Sequence, residues 1–234
     1  MSNYQPLNRE LHAKLRLKPQ GGYSFASKQH LVSVVLHEFS NVALSYPIVF
    51  VKSVDQVEFH PMALLGLELS KNLFVDTQGQ WSPGAYVPAA FRRYPFALTD
   101  TGAGSMAICV DTESPYLNAE EGESLFDDAG AVTPTMEKIS SFLQELLSSE
   151  VMATSFCTSL ASLDLLAPCE FKVQGPEGVK VYGGSFMVDE QKLSALSTEA
   201  FLSLRDKGYL GAIYAHLISH MQVQKFAALQ SNVP

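Results

Sequence analysis

The stretch Tyr46–Leu67 reads YPIVFVKSVDQVEFHPMALLGL, and it decides which class of fold the chain adopts. Its first part, Ile48–Val54, is short, rich in β-branched residues and flanked by a turn, which is typical of a strand. Its last part, Met62–Leu67, has the same character, and the residues between the two parts are few enough for a hairpin loop. Strands joined by so short a loop are antiparallel. The stretch therefore predicts two neighbouring antiparallel strands.

Residues on either side of this pair complete the first half of the chain. Apolar residues recur at helical spacing over residues 30–44, which predicts a helix that ends before Pro47, since a residue before proline is pushed out of the helical region. Downstream, Leu73–Val75, Phe96–Leu98 and Ser105–Val110 have strand character. The first half is therefore predicted as a mostly antiparallel sheet with a helix packed on it.

The second half begins with a long helix and a hairpin. Thr133 and Pro134 form a helix start, threonine as the cap and proline in the first turn, and the apolar periodicity runs on to Leu166. Phe171–Tyr182 is a predicted hairpin around a Gly-Pro-Glu-Gly turn, which Phe186–Val188 extends.

Two more helices are predicted at the end of the chain, Thr198–Lys207 and Leu210–Leu229, with Gly208 as the break between them. Runs of strands followed by runs of helices favour an α+β fold over a wound βαβ fold. Residues 1–20 are predicted as a flexible arm, and residues 21–234 as a single domain.

Composition narrows the classes of function. The 234-residue chain is long enough to bury a sizeable core without a disulfide or a metal as staple. Its 24 acidic and 16 basic residues give a formal charge of −8, which repels phosphate backbones, so no nucleic-acid partner is expected. Cys109, Cys157 and Cys169 lie far apart and read as reduced, buried thiols. With no signal-peptide pattern and no apolar run of about 18 residues, we expect a cytoplasmic protein without a membrane span.

Acidic residues crowd residues 111–128, which contain seven carboxylates and no lysine or arginine. The run lacks the ligand spacing and the obligatory glycine of an EF-hand calcium loop. It is therefore interpreted as a solvated loop or lid.

His216 and His220 are the candidate metal ligands, because residues four apart on a helix share one face. Neither a glutamate after the first histidine nor a third ligand at a recognisable spacing accompanies them. They are weak candidates, and the hydrogen-bonded alternative is commoner for such histidines. No cofactor is predicted.

Asp100-Thr101-Gly102 resembles the catalytic triplet of aspartic proteases, but the dyad in those enzymes needs a second carboxylate about 3 Å away. The chain has no second such triplet, so Asp100 is expected to stabilise its own glycine-containing turn over residues 100–104. Gly183-Gly184-Ser185 lacks the spacing of a nucleophile elbow, and the sequence contains no recognisable nucleophile motif.

The segment Gly79–Leu98 reads GQWSPGAYVPAAFRRYPFAL and is the strongest candidate for binding. Five of its 20 residues are aromatic, and Pro88 and Pro95 delimit a short helix with an arginine pair at its C-terminal end. The partial negative charge of a helix end stabilises such cations, so the pair has a structural explanation. The alternative is a pocket in which guanidinium groups grip a carboxylate or phosphate beside aromatic rings. The residues predicted to line that pocket are Trp81, Tyr86, Arg92, Arg93 and Tyr94.

The same segment carries a family resemblance. The run from Tyr86-Val-Pro to Tyr94-Pro-Phe96, together with Glu38–Phe50, Met62–Leu67 and Leu210–Leu217, resembles the SapC-like family of bacterial proteins. The resemblance extends from about Tyr23 to Phe226 and supplies no catalytic residues. It implies an association with TonB-dependent outer-membrane receptors, halogenase-like flavoproteins and cupin-like proteins, and so a part in nutrient uptake or in the processing of a peptide or small molecule.

The leading hypothesis is therefore a non-catalytic binding or accessory protein of such a system, with a small-molecule or peptide ligand at the Trp81–Tyr94 segment and a protein partner. One alternative is a metal-dependent or acid–base enzyme centred on His216, His220 or Asp100. A second alternative is a structural component of an assembly, which predicts an exposed apolar patch and a stable oligomer.

Overall fold

The computed structural model describes residues 3–55, 57–102, 105–175 and 178–231. The chain divides into two compact units, each assembled from two separate stretches of sequence. Unit 1 comprises Met1–Tyr23 and Ala89–Ser148, and unit 2 comprises Ser24–Pro88 and Ser149–Pro234. The fold is α+β, as predicted, with antiparallel sheets in both units.

The strands are β1 (Tyr4–Pro6), β2 (Arg16–Leu17), β3 (Leu31–Ser33), β4 (Ile48–Lys52), β5 (Phe59–Leu64), β6 (Phe96–Asp100), β7 (Met106–Asp111), β8 (Leu117–Asn118), β9 (Glu123–Ser124), β10 (Leu166–Gly175) and β11 (Gly178–Val188). The α-helices are α1 (Arg9–His12), α2 (Phe39–Ala43), α3 (Ala89–Arg92), α4 (Pro134–Ser162), α5 (Glu190–Ser194), α6 (Thr198–Asp206), α7 (Leu210–Ser219) and α8 (Val223–Ser231). Short 3₁₀ helices are formed by Ser24–Ala26, Leu36–Glu38 and His220–Gln222.

Unit 1 contains two small antiparallel sheets. In the first the strand order is β1-β7-β6, with Tyr4 opposite Asp111 and Phe96 opposite Val110. In the second, β2 lies between β8 and β9. The core of the unit is a cluster of buried apolar side chains: Phe96, Val110, Leu125, Phe126, Met136 and Leu143.

Unit 2 is built on a five-stranded sheet with the order β10-β11-β4-β5-β3, in which every neighbouring pair is antiparallel. β10 and β11 form a long hairpin, and β11 pairs with β4 at one position, Phe186 opposite Phe50. Helix α7 packs on the face of the sheet that bears Phe50, whose ring lies 4.8 Å from the His216 ring. Because side chains alternate along a strand, Val49 and Val51 project to the other face.

Aromatic side chains form the centre of unit 2. Phe39, Phe50 and Phe156 are 1% exposed or less, and the Phe156 ring lies 5.9 Å from that of Phe39 and 6.1 Å from that of Phe50. Tyr209 contacts Phe156 edge-on at 5.1 Å. These contacts hold α2, α4 and the sheet around one core.

The predicted helix over residues 30–44 is wrong in its first part. Leu31–Ser33 is strand β3, with Val32 opposite Ala63 of β5, and helical structure begins at Leu36. Leucine and valine at these positions fit a half-buried strand as well as a helix, and pairing with β5 decides between the two. Leu73–Val75, predicted as a strand, forms only an isolated bridge from Val75 to Trp81.

The long helix and the hairpin are confirmed with changed ends. Met136 donates its backbone N–H to the Thr133 hydroxyl, as expected of the cap, but α4 ends at Ser162 because Asp164 adopts a positive φ of 52°. Leu166 belongs to β10 instead. The Gly-Pro-Glu-Gly turn includes Pro176 and Glu177, which lie outside the described residues.

The last predicted helix is divided. Gly208 ends α6 with a φ of 74°, as expected, but α7 ends at Ser219 and a 3₁₀ turn separates it from α8. The apolar periodicity of the predicted helix extends over both α7 and α8, so the sequence does not show where α7 ends.

Residues 1–20, expected as a flexible arm, supply β1, α1 and β2 to unit 1, apart from Met1 and Ser2, which the structure does not describe. The Asn8 side chain caps α1 by accepting the N–H of Glu10 at 2.7 Å, and buried His12 accepts the N–H of Asn8 at 2.9 Å. Strands of two or three residues are too short to leave a periodic signal in the sequence. The single domain over residues 21–234 stays a prediction.

Candidate functional site

A groove on the sheet of unit 2 is the candidate site. Its volume is about 450 Å³, within the range of pockets that hold small ligands. The floor is formed by apolar side chains of three strands: Leu31, Val49, Val51 and Leu64. One wall is the loop after β5, with Gly66, Leu67 and Leu69, and the other is the stretch Val181–Ser185 of β11.

The loop wall is held from behind by backbone hydrogen bonds. The His30 carbonyl accepts the N–H groups of Leu65 and Gly66 at 2.8 and 3.2 Å, and buried Asn72 donates its side-chain amide to the Ala26 carbonyl at 3.1 Å. A side chain at Gly66 would meet the Lys71 carbonyl oxygen at 1.9 Å, so the loop closes only around glycine. These contacts therefore hold the loop in one position beside the sheet.

The charge of the groove is low. Among the described residues that line it there is no aspartate, glutamate, lysine or arginine, and its ionisable side chains are those of His30 and Tyr182. This lining is suited to binding an apolar group, and it offers few side chains for proton transfer or metal binding.

His216 and His220, the weak metal candidates, both lie against the Ile48 carbonyl of β4. His216 is fully buried; its Nε2 accepts the N–H of Val188 at 3.0 Å, and its Nδ1 lies 2.9 Å from the Ile48 carbonyl oxygen, to which it donates. A backbone N–H can only donate, so both nitrogens of this neutral ring are engaged and neither has a lone pair for a metal. His220 Nε2 lies 3.0 Å from the same carbonyl oxygen.

Burial keeps these imidazoles neutral. Desolvation, reinforced by His220, lowers the pKa of His216 to about 3, although the hydrogen bond to Ile48 acts in the opposite direction. Desolvation also lowers the pKa of His220. No group of three or more histidine, cysteine, aspartate or glutamate side chains within the described ranges is placed to hold a metal ion.

Trp81 and Tyr86 of the predicted pocket belong to unit 2, where their polar atoms meet internal partners. The Trp81 indole N–H donates to the Tyr46 hydroxyl at 3.0 Å, and that hydroxyl donates to the Tyr86 carbonyl at 2.6 Å. The Tyr86 hydroxyl donates to the carboxylate of Glu38 at 3.0 Å, and Glu38 is 1% exposed. Burial raises the pKa of Tyr46. This chain of hydrogen bonds stabilises the loop that carries Trp81.

Arg92, Arg93 and Tyr94 belong to unit 1. The Arg92 guanidinium, at the end of α3 as predicted, lies 5.3 Å from the centre of the Phe142 ring. Burial raises the pKa of Tyr4, against the nearby positive charge of Arg93, which lowers it. The Tyr94 hydroxyl donates to Asp111 at 3.1 Å, and burial raises the pKa of Tyr94 to about 12. The five predicted residues are thus divided between the two units, and their binding role stays a prediction.

Two other motifs have local roles. The Asp100 carboxylate accepts the N–H of Gly102 at 2.7 Å, as expected of a turn aspartate; Ala103 and Gly104 of that turn lie outside the described residues. The acidic run is not a plain solvated loop, because Asp111 is 3% exposed at the end of β7 and accepts the N–H of Asn3 at 3.1 Å. Its exposed part includes an ion pair of Glu121 with Lys18 at 2.8 Å.

Sequence reasoning missed two features of unit 2. One is the groove itself, whose only sequence signal is the pair Gly183-Gly184 inside a predicted strand region. The other is a contact of 3.1 Å between the Ser149 hydroxyl and Nδ1 of His37. A serine–histidine contact can begin nucleophilic catalysis, but Ser149 lies inside α4 and is 7% exposed, so a substrate has little access to it.

A family model described as SapC matches residues 7–226 of the 234-residue chain. No curated protein and no solved structure matches at a significant level. In the ranges that the structure describes, none of the helices is both long enough and apolar enough to cross a membrane.

Proposed function

The chain belongs to the SapC family, and from this premise we propose that it is a non-catalytic binding protein that serves a bacterial system for nutrient uptake or for modification of peptides or small molecules. The observation that carries the proposal is the groove of unit 2, with a volume of about 450 Å³, an apolar floor and a fixed loop wall. Apolar, largely preformed pockets of this size are the usual sites of small ligands.

The positions of the candidate catalytic groups support a role without catalysis. Both nitrogens of His216 form hydrogen bonds with the backbone, and the Asp100 carboxylate accepts a backbone N–H of its own turn. Burial raises the pKa of Cys157 to about 12 and that of Cys169 to about 11, which keeps both thiols protonated and poorly nucleophilic at neutral pH.

A protein partner is part of the proposal. TonB-dependent receptors, halogenase-like flavoproteins and cupin-like proteins are the partner classes that the family resemblance implies. Exposed apolar side chains on and after α7 support a partner surface: Tyr214 is 47%, Ile218 is 61% and Met221 is 70% exposed. If the chain instead served as a component of an assembly of its own copies, light scattering would give a stable oligomer.

The groove is tested with the apolar fluorophore 8-anilinonaphthalene-1-sulfonate and two leucine variants of unit 2. Leu69 lies on the groove wall and is 80% exposed, whereas Leu44 is 72% exposed at the end of α2 and does not line the groove. Leu69→Glu places a carboxylate beside the anionic probe, so its affinity should fall about tenfold or more, while Leu44→Glu should leave it within about twofold. Equal effects of the two variants would contradict a binding groove.

The predicted pocket at Gly79–Leu98 has its own test. Arg92→Ala and Arg93→Ala remove the two guanidinium groups. If they reduce the free energy of unfolding but leave binding of the fluorophore unchanged, the segment is structural and the groove remains the site. If fluorophore binding is lost while the free energy of unfolding is unchanged, the binding site lies at the arginines instead.

A further inference from the structure

The two sides of the groove contribute residues in different patterns. On β4, the alternate residues Val49 and Val51 line it, as expected when a cavity lies over the face of a strand. On β11, the five consecutive residues Val181–Ser185 line it. Successive side chains of a strand point to opposite faces, so a consecutive run indicates that the groove extends along the backbone of β11. Phe171 of β10, opposite Tyr182, also contributes to the lining.

In the described part of the chain no strand pairs with the edge of β11 away from β10 over Val181–Ser185, although β4 is the next strand on that side. β10 pairs with β11 along the other edge, from Gly178 to Val188. Pairing with β4 is confined to Phe186 opposite Phe50, directly after Ser185 at one end of the run. The edge of a strand presents a row of backbone N–H and C=O groups, which is a template for another extended chain.

A glycine bulge opens this part of β11 to a second backbone. Ser185 lies opposite Cys169 and Tyr182 opposite Phe171, so Gly183 and Gly184 together face a single residue of β10. A side chain at Gly184 would meet no atom within 4 Å, which shows open space at this point. Glycine inside a strand commonly marks a place where another backbone or a ligand comes close.

We infer that the groove binds an extended peptide segment, which adds as a strand to the Val181–Ser185 edge of β11 and lays apolar side chains on Val49, Val51 and Leu64. This rests on the proposed function and names the class of its ligand. A compact apolar molecule would fill the floor equally well but would leave the backbone groups of the edge to water. An added strand forms backbone hydrogen bonds with the edge and also buries its alternate side chains on the apolar floor.

The size of the site suits a short segment. Five residues of strand extend about 16 Å, and successive side chains on one face of an extended peptide lie about 7 Å apart. The apolar floor beside the edge therefore has room for two or three apolar side chains of the segment. Since the described lining residues include no aspartate, glutamate, lysine or arginine, specificity comes from the shape of the peptide's apolar side chains.

The test uses a set of octapeptides in which valine, leucine, isoleucine or phenylalanine alternates with serine, each measured for displacement of 8-anilinonaphthalene-1-sulfonate from the full chain. The peptide that binds best is then resynthesised with N-methyl groups on its odd residues or on its even residues. Only one set of N–H groups can face β11, so N-methylation of that set should weaken binding about tenfold or more, and N-methylation of the other set should change it less than about threefold. Leu69→Glu should weaken peptide binding and Leu44→Glu should not.

The outcomes separate this inference from the proposed function. If the fluorophore binds with the expected leucine dependence but no octapeptide displaces it, or if both N-methylated sets bind as well as the parent peptide, strand addition is wrong while the binding groove stands. If the fluorophore itself shows no dependence on Leu69, the groove and the inference built on it both fail.

Discussion

At the scale of single residues, the His216 ring takes the place of a pair of backbone hydrogen-bonding groups in the sheet of unit 2. Continuing the register of Phe186 and Phe50 by two residues places Val188 opposite Ile48. The imidazole lies between them, accepting from the Val188 N–H and donating to the Ile48 carbonyl. Ser219, also on α7, accepts the Ile48 N–H at 2.8 Å. The helix thus provides the hydrogen bonds where two strands diverge.

His216→Phe is expected to reduce the free energy of unfolding by about 2 kcal/mol, since a buried polar group left without a partner costs about 1–3 kcal/mol. The ring volume is retained, the Val188 N–H loses its acceptor, and the Ile48 carbonyl keeps His220. Urea denaturation measures the change. Tyr214→Phe, on the same helix but 47% exposed, is the matched control and should stay within about 0.5 kcal/mol of the parent. An equally small effect at His216 would contradict the structural role.

At the scale of the element, turns held by Asp76 and by two glycines shape the loop from Asp76 to Tyr86. The Asp76 carboxylate accepts the N–H groups of Gln78 and Gln80 at 2.9 and 2.8 Å. Gly79 and Gly84 both have a φ of 78°, the left-handed region in which glycine is favoured. Their surroundings differ, because a side chain at Gly79 would lie 2.0 Å from the Ser24 hydroxyl and one at Gly84 would meet no atom within 4 Å.

Gly79 and Gly84 allow the cost of the backbone conformation and the cost of a steric contact to be measured separately. Gly84→Ala should cost about 1 kcal/mol of unfolding free energy, from the backbone conformation alone. Gly79→Ala should cost about 1–3 kcal/mol more, because the contact with Ser24 forces local rearrangement. In the double variant Ser24→Ala/Gly79→Ala part of the excess should return. Equal losses at the two glycines, measured by denaturation, would show that Ser24 does not constrain the turn.

For the whole molecule, the buried histidines link stability to pH. His216 stays neutral in the fold, with its pKa lowered to about 3 chiefly by desolvation, whereas an unfolded histidine titrates near pH 6.5. Below about pH 6.5 the unfolded chain binds a proton that the folded chain does not accept. Its contribution to stability is therefore complete above that pH and declines as the pH falls from about 6.5 towards 3.

The expected slope for one such histidine is about 1.4 kcal/mol per pH unit, within that window. Since carboxylates and His220 also titrate there, the quantity to measure is the difference in unfolding free energy between the parent and His216→Phe. That difference should fall from about 2 kcal/mol at neutral pH to about zero near pH 5 and should change sign below it, because the parent alone loses the contribution of His216. A difference that stays constant would mean that His216 binds its proton at the same pH in the folded protein as in the unfolded chain.

Local signals account for the parts of the structure that the sequence predicted. Thr133 and Pro134 marked the start of α4, Gly208 marked the end of α6, and Ile48–Val54 and Phe171–Tyr182 marked the positions of β4 and the hairpin. Each depends on turn chemistry or on periodicity within a few residues. Strand β3 was missed because its residues suit a helix equally well, and only β5 beside it selects the strand.

By itself, then, the sequence determined the α+β class, the order of most helices and strands, and the family. These depend on periodicity, turn residues and motifs within short stretches of the chain. The tertiary structure alone decided what His216 does, since its partner Ile48 lies 168 residues away in the chain. It also decided where the groove lies, which depends on how far β11 diverges from β4. Pairing between distant segments has no signature in either segment alone, so the physical origin of the candidate site is the arrangement of the strands and not a motif.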